Sequence, residues 1–182
     1  MLWADGQDND AGLAEEHYYA LKRDIATFPT VAANPTTISA RGKLTGNFTM
    51  KAGKFFKKIY CTLEQGEIVS TQVGPRDGRS YENKATLYVP GYRSVNVGFL
   101  EAMKNSKIVL IIRQLDGTMV VFGSAYIGGE IESSELKTGK AITDGKGTTF
   151  TVRSIGRIAP IYWENGDGAE KLPPLEPEQS NP

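Results

Sequence analysis

One cysteine and one histidine in the whole chain leave little material for metal or thiol chemistry. Cys61 alone excludes an internal disulfide framework, and such a chain suits a reducing compartment. His17 has no second Cys or His near it, so the usual zinc ligand sets are missing. No apolar run approaches the roughly 18 residues that a membrane helix requires. Residues 1–16 have neither a basic flank nor an apolar stretch, so no signal peptide is expected. There is no G-x-x-x-x-G-K-[ST] loop for phosphates and no G-x-S-x-G elbow for a nucleophilic serine.

The weaker candidates fail on their own terms. "DGQDNDAGLAEE" has acids near calcium-loop spacing, but Asp10 stands where the loop needs glycine. Glu130, Glu132 and Glu135 in "EIESSE" supply carboxylates, and a charged loop accounts for them more simply than a hydrolytic pair. "KTGKA" and "DGKGTT" place glycine beside lysine without joining a strand to a helix, so they read as turns. The sequon Asn47-Phe48-Thr49 falls inside a strand pattern. His17 reads as a surface or packing residue, and Cys61 as a buried inert thiol on the inward face of a strand. No catalytic, metal or cofactor residue is assigned, and the chain is not expected to be an enzyme.

What is present is β pattern and uneven charge. The chain carries 21 acids and 21 bases. Residues 1–16 hold five acids and no base. Residues 164–182 hold five acids against Lys171. The middle therefore keeps 11 acids and 20 bases, a net of +9. Solvated tails explain this, and so does a tail lying on the basic body of a neighbouring copy, steered there by opposite charge. The bases are spread over many segments, without the aromatic interleaving of an RNA-binding surface.

Period-two alternation marks most of the body. Leu44, Phe48 and Met50 share one face of "KLTGNFTMK", and Phe55, Ile59, Cys61 and Leu63 share one face of "FFKKIYCTL". "EIVSTQV" and "NKATLYVPG" add strands, the second with Ala85, Leu87 and Val89 inward. "EEHYYALKRDIATFP" leans towards a strand ending before Pro29. "SVNVGFLEAMKN" is the one helix, with Val95, Phe99 and Met103 on a stripe beside Leu100, Ser94 as cap and Asn105 at the end. "KIVLIIRQLDGTMVVFGSA" is a hairpin turning at Asp116-Gly117. Its first arm is apolar on both faces and must be covered on both, by the helix on one side and a second sheet on the other. "YIGGEIESSELKTGK" reads as loop with a short strand around Tyr126 to Glu132. Asp144 to Gly147 turn the chain into a strand with Phe150 and Val152 inward and Thr149, Thr151 and Arg153 outward.

The expected fold is mainly β: two packed antiparallel sheets, as a sandwich or open barrel, with one flanking α-helix and extended terminal arms. The expected division is an acidic arm over 1–16, a sandwich over 17–163 and a Pro/Glu-rich tail over 164–182.

The order of elements in "GFLEAMKNSKIVLIIRQLDGTMVVFGSA" and "ELKTGKAITDGKGTTFTVRSIGRIAPIYW" resembles the major tail tube proteins of tailed bacteriophages, especially those of phages and prophages of Bacteroidetes-type hosts. The resemblance covers roughly residues 43–163. It implies a virion structural protein, assembled in the host cytoplasm, whose copies form stacked homo-hexameric rings. Sheets of six copies join around a lumen that passes phage DNA without reading its sequence. It also implies contacts with other tail proteins, no membrane partner and no cofactor. Thr149, Thr151 and Arg153 become candidates for facing the lumen or a neighbouring subunit. Asp5, Asp8 and Asp10 of the arm and Arg76, Asp77 and Arg79 of the "GPRDGRSYEN" loop become candidates for contacts between subunits or rings. Such lumens are usually acidic, so the acids of this basic body must be sorted to the lumen face, or its bases used between subunits. Other readings are another virion part of the same fold (tail terminator, connector or decoration protein) and a non-viral sandwich binding carbohydrate or protein. The carbohydrate reading would use Tyr88, Tyr92, Tyr162 and Trp163 as an aromatic platform.

Overall fold

Five consecutive buried residues, Ile108 to Ile112, decide the architecture, because a strand apolar on both faces needs a layer on each side. The computed structural model describes residues 11–141, 143–159, 161–164 and 172–177. In chain order the strands are β1 (Glu16–Leu21), β2 (Ile25–Thr27), β3 (Lys43–Thr45), β4 (Thr49–Met50), β5 (Lys57–Tyr60), β6 (Glu67–Val73) and β7 (Ser80–Pro90). The helix α1 (Ser94–Met103) follows, then β8 (Ile108–Arg113), β9 (Met119–Phe122), β10 (Glu130–Lys137), β11 (Gly147–Gly156) and β12 (Ile161–Glu164). Short 3-10 turns cover Lys22–Asp24 and Ser39–Gly42. The fold is mainly β, 46% strand and 11% helical, with two large antiparallel-rich sheets and one helix.

The first sheet has six strands in the order β3-β12-β9-β8-β1-β5, and the second has four in the order β10-β11-β7-β6. One core lies between them. It takes Ile108, Leu110 and Ile112 of β8, Val120 and Phe122 of β9, Ala85 and Leu87 of β7, and Phe150 and Val152 of β11. Each of these side chains except Ala85 leaves water at a gain of about 1.5–3 kcal/mol. The helix closes one end of this same core. Leu100 is buried in it, and Phe99 meets Tyr19 edge-on at 5.0 Å and Phe150 at 5.4 Å.

The helix and the second sheet therefore share one side of β8, where the sequence pattern had assigned them opposite sides. Val109 and Ile111 face a separate core with Tyr18, Ile25, Phe48, Phe56, Val121 and Trp163. The two-stranded β2-β4 piece contributes to it. Phe48 sits at its centre, edge-on to Phe28, Phe56 and Trp163, and each such pair adds about 0.5–1.5 kcal/mol.

Leu172 and Leu175 pack on this second core from the C-terminal side. The Phe56 N–H donates to the Pro174 carbonyl at 2.8 Å, and the Glu176 N–H donates back to the Phe56 carbonyl at 3.1 Å. These contacts guard the edge of the six-stranded sheet just before β5. The body also starts earlier than its charge pattern indicates. Leu13 is buried in the core between the sheets, and the Ala14 N–H donates to the Arg113 carbonyl at 3.0 Å.

Several local expectations need correction. The strand expected through "KLTGNFTMK" breaks at Gly46, whose φ of +90° takes it out of extended geometry and turns its carbonyl to accept the Trp163 indole N–H at 2.9 Å. Phe56 rather than Phe55 is the buried member of that pair, and Leu63 is exposed. Val95 is 69% exposed, because α1 rests on Phe99 and Leu100. Arg93 caps α1 without a side-chain bond. Ser94 is its first residue, and Lys104, not Asn105, sits at the C-cap. The segment "EIESSELK" is the full strand β10.

Candidate functional site

β11 and β7 pair over ten residues, from Gly147↔Pro90 to Gly156↔Tyr81. Their inner residues are the core apolar ones, so their partners point to the opposite face, which nothing in the described chain covers. The turn leading into β11 is held by Asp144, whose carboxylate accepts the Lys140 and Ala141 N–H groups at 2.9 Å each. Those two bonds hold its pKa below the usual carboxylate range. A Cβ at Gly147 would meet the Tyr88 ring at 2.3 Å, so the glycine lets that ring lie over the strand's start.

The three outward residues read from the sequence fall on this face. Thr149 is opposite Tyr88, Thr151 opposite Thr86 and Arg153 opposite Lys84. The Thr86 and Thr151 hydroxyl oxygens are 3.1 Å apart. The Arg153 guanidinium donates to Glu82 at 2.5 Å and lies 3.7 Å from Glu132, which also takes Lys84 at 2.8 Å. The bond from Arg153 holds the Glu82 carboxyl below its ordinary pKa and raises that of Arg153. Lys137 pairs with Glu135 at 2.9 Å, and Lys107 reaches across from the start of β8 to Glu130.

Register adds Glu67, Val69 and Thr71 of β6 to the face, through their partners Thr86, Lys84 and Glu82. The face then carries five glutamates (Glu67, Glu82, Glu130, Glu132 and Glu135) against Lys84, Lys137, Arg153 and the Lys107 that reaches Glu130, a net of −1. This lies on a body whose described middle is basic. Both outer strands, β10 and β6, pair on one side only among the described residues. The bulge between Ile131 and Ser133 is what lets Glu132 swing to the outward side and serve two bases at once.

The remaining sequence candidates separate from this face or from chemistry. Arg76, Asp77 and Arg79 lie exposed in the β6–β7 hairpin loop, where Asp77 has a φ of +69°. Asp5, Asp8 and Asp10 lie outside the described residues. His17 is fully buried. Its Nδ1 accepts the Arg113 backbone N–H at 3.2 Å, its Nε2 has no partner, and burial pulls its pKa down to about 4. The Cys61 thiol is buried and pushed up in pKa by desolvation, with Sγ 3.5 Å from the Tyr88 N–H. Neither group is poised to react. Trp163 is 4% exposed, so the aromatic platform loses its largest member to the core. Among the described residues no three His, Cys, Asp or Glu side chains gather as a metal set. No described helix is long and apolar enough to cross a membrane.

The sequence singled out Glu130, Glu132 and Glu135 only as a charged loop and did not join them to Glu67 and Glu82. Their signal was the alternation on β7 and β11, which fixes what lies outward once the pairing is known. It was invisible on β10, which read as loop.

No family model, no curated protein and no solved structure matches the chain.

Proposed function

We propose that this chain is a structural subunit of a phage tail tube, which self-assembles edge to edge into stacked rings around a DNA-conducting lumen. The observation that carries the reading is the four-stranded sheet: both edges unpaired among the described residues, one face uncovered, and that face rich in glutamate. Free edges are a liability in a monomer and an interface in an assembly. A head-to-tail contact whose rotation closes yields a ring. An acidic inner wall repels the phosphate backbone and keeps transit free of adhesion. The glutamates on this face meet the requirement, drawn from the resemblance, that the acids be sorted away from the basic body.

The uncovered face has no concave site and no reactive group, which supports a wall over a catalyst. The test is negative-stain microscopy of the purified chain at high concentration, with sedimentation across a wide concentration range. Six-fold rings or tubes are the expected result. A strict monomer throughout, unchanged by salt or crowding, overturns the proposal.

A further inference from the structure

At one end of the sandwich the loop Gly123–Ile127, residues Ala26–Val31 and the turn Ser154–Ala159 enclose a hollow of about 780 Å³. That size falls within the roughly 300–1,000 Å³ of small-molecule sites. Phe28, Leu44, Phe48 and Val121 line it, and Ile127, Ile155 and Ile158 line its mouth, each over 40% exposed. The lining carries one charge, Arg157, and no acid. The Arg157 side chain is exposed and has no carboxylate partner among the described residues.

Two buried polar side chains break the apolar lining. Asn83 on β7 and Ser154 on β11 are register partners, 4% and 5% exposed. They continue the inward ladder that holds Leu87 opposite Phe150 and Ala85 opposite Val152. The Asn83 Oδ1 accepts the Ser70 hydroxyl at 2.6 Å. Its Nδ2, with two N–H groups, has only the Ile158 carbonyl at 3.5 Å. The Ser154 hydroxyl has no partner among the described residues. The apolar ladder thus ends in donors that face the hollow and await an acceptor.

We propose that this hollow binds a single-chain amphiphile with one negative head, of the fatty-acid class. A Cβ built on Gly156, the residue before Arg157, would stand 4.0 Å from the Asn83 Nδ2, so the cation and the free donors share one wall. The carboxylate takes its charge partner from Arg157 and its hydrogen bonds from Asn83 and Ser154. The alkyl chain lies along Phe28, Leu44, Phe48 and Val121. Other chemistries fit worse. A nucleotide or sugar phosphate brings a second charge that one arginine leaves unpaired. A neutral hydrocarbon leaves the Asn83 and Ser154 donors unmet. A cationic ligand faces Arg157 with no acid in the lining. The inference does not rest on the self-assembly proposed above.

The test is calorimetric titration of the full-length chain with octanoate, decanoate and laurate, each kept below its micelle concentration. Saturable binding is expected, tightening about tenfold for every two methylenes added. Laurate should bind at least fivefold more tightly than dodecyltrimethylammonium, its cationic counterpart. Arg157→Gln should weaken laurate at least fivefold and leave the cationic amphiphile unchanged. Ile127→Asp should weaken laurate through the mouth. Both positions are exposed, so both variants should keep the parent's circular dichroism. Absence of saturable laurate binding overturns the proposal. Binding that neither substitution alters overturns the site. Equal affinity for the two head groups overturns the anionic class.

Discussion

The imidazole of His17 takes the place of a sheet rung against Arg113. The β1–β8 ladder runs from Leu21↔Ile108 to Tyr18↔Ile111. The next outward-reaching N–H, that of Arg113, donates to Nδ1 of His17 at 3.2 Å, while the Arg113 carbonyl accepts from Ala14. The ring is therefore needed neutral. Its pKa falls from 6.5 unfolded to about 4 folded, chiefly through burial. The unfolded chain binds the proton first, so stability falls as pH drops from about 6.5 to about 4, by up to about 3 kcal/mol. His17→Leu should cost about 1–3 kcal/mol at pH 7.5, by orphaning the Arg113 N–H, and should flatten this slope. Urea unfolding at pH 7.5 and pH 4.5 measures both. Identical pH dependence in the two proteins would refute the role given to the ring.

Ile111→Asp should abolish folding. Ile111 is fully buried, between Tyr18 on β1 and Val121 on β9, and it faces the Phe48 and Trp163 cluster. An unpaired carboxylate there costs several kcal/mol, the scale of a domain's whole stability. Loss of the β signal in circular dichroism is the expected readout.

Thr151→Asp should leave the monomer folded, within about 1 kcal/mol of the parent, because Thr151 is on the uncovered face. If that face lines the lumen, tubes persist in the micrographs. Folded subunits that no longer form tubes would instead place Thr151 at a subunit contact.

Removing residues 1–10 should leave the melting temperature within a degree or two, since among the described residues the first core contact is made by Leu13. Removing residues 1–16 deletes Leu13, the Ala14 bond to Arg113 and the first residue of β1, and should lower stability by about 2–4 kcal/mol. Thermal denaturation of the two truncations separates arm from body.

Leu175→Asp should loosen the C-terminal segment from Phe56. Leu175 is only half-buried, so the expected cost is about 1–2 kcal/mol. The more telling readout is protease cleavage within residues 172–177, which should accelerate severalfold. Unchanged cleavage would mean that the segment is not held by this side chain.

Where the alternation of apolar residues was unbroken, the fold was legible. Phe150 and Val152 on β11, and Ala85 and Leu87 on β7, face the core as their spacing requires. β10 was not legible, because its bulge puts Ile131 and Leu136 on one face five residues apart, an odd spacing that cancels the period-two signal. Gly46 hid a break for the opposite reason: Leu44, Phe48 and Met50 keep even spacing across a kink. The packing of Leu175 on Phe56 joins residues more than a hundred positions apart, and no local pattern announces it. Of the candidate face, the three β11 residues could be read from alternation. The glutamates opposite and beside them needed the strand order.

An even number of alternating strands has a consequence for joining copies. Along the order β10-β11-β7-β6 every neighbour is antiparallel, so the first and last strands run in opposite senses. Two copies related by rotation alone, about an axis roughly along the strands, would bring β10 of one beside β6 of the next with senses already opposed. The seam would then repeat the pairing inside each subunit. Were the sheet one strand longer or shorter, the same rotation would set like senses side by side and change the hydrogen-bond pattern at every seam.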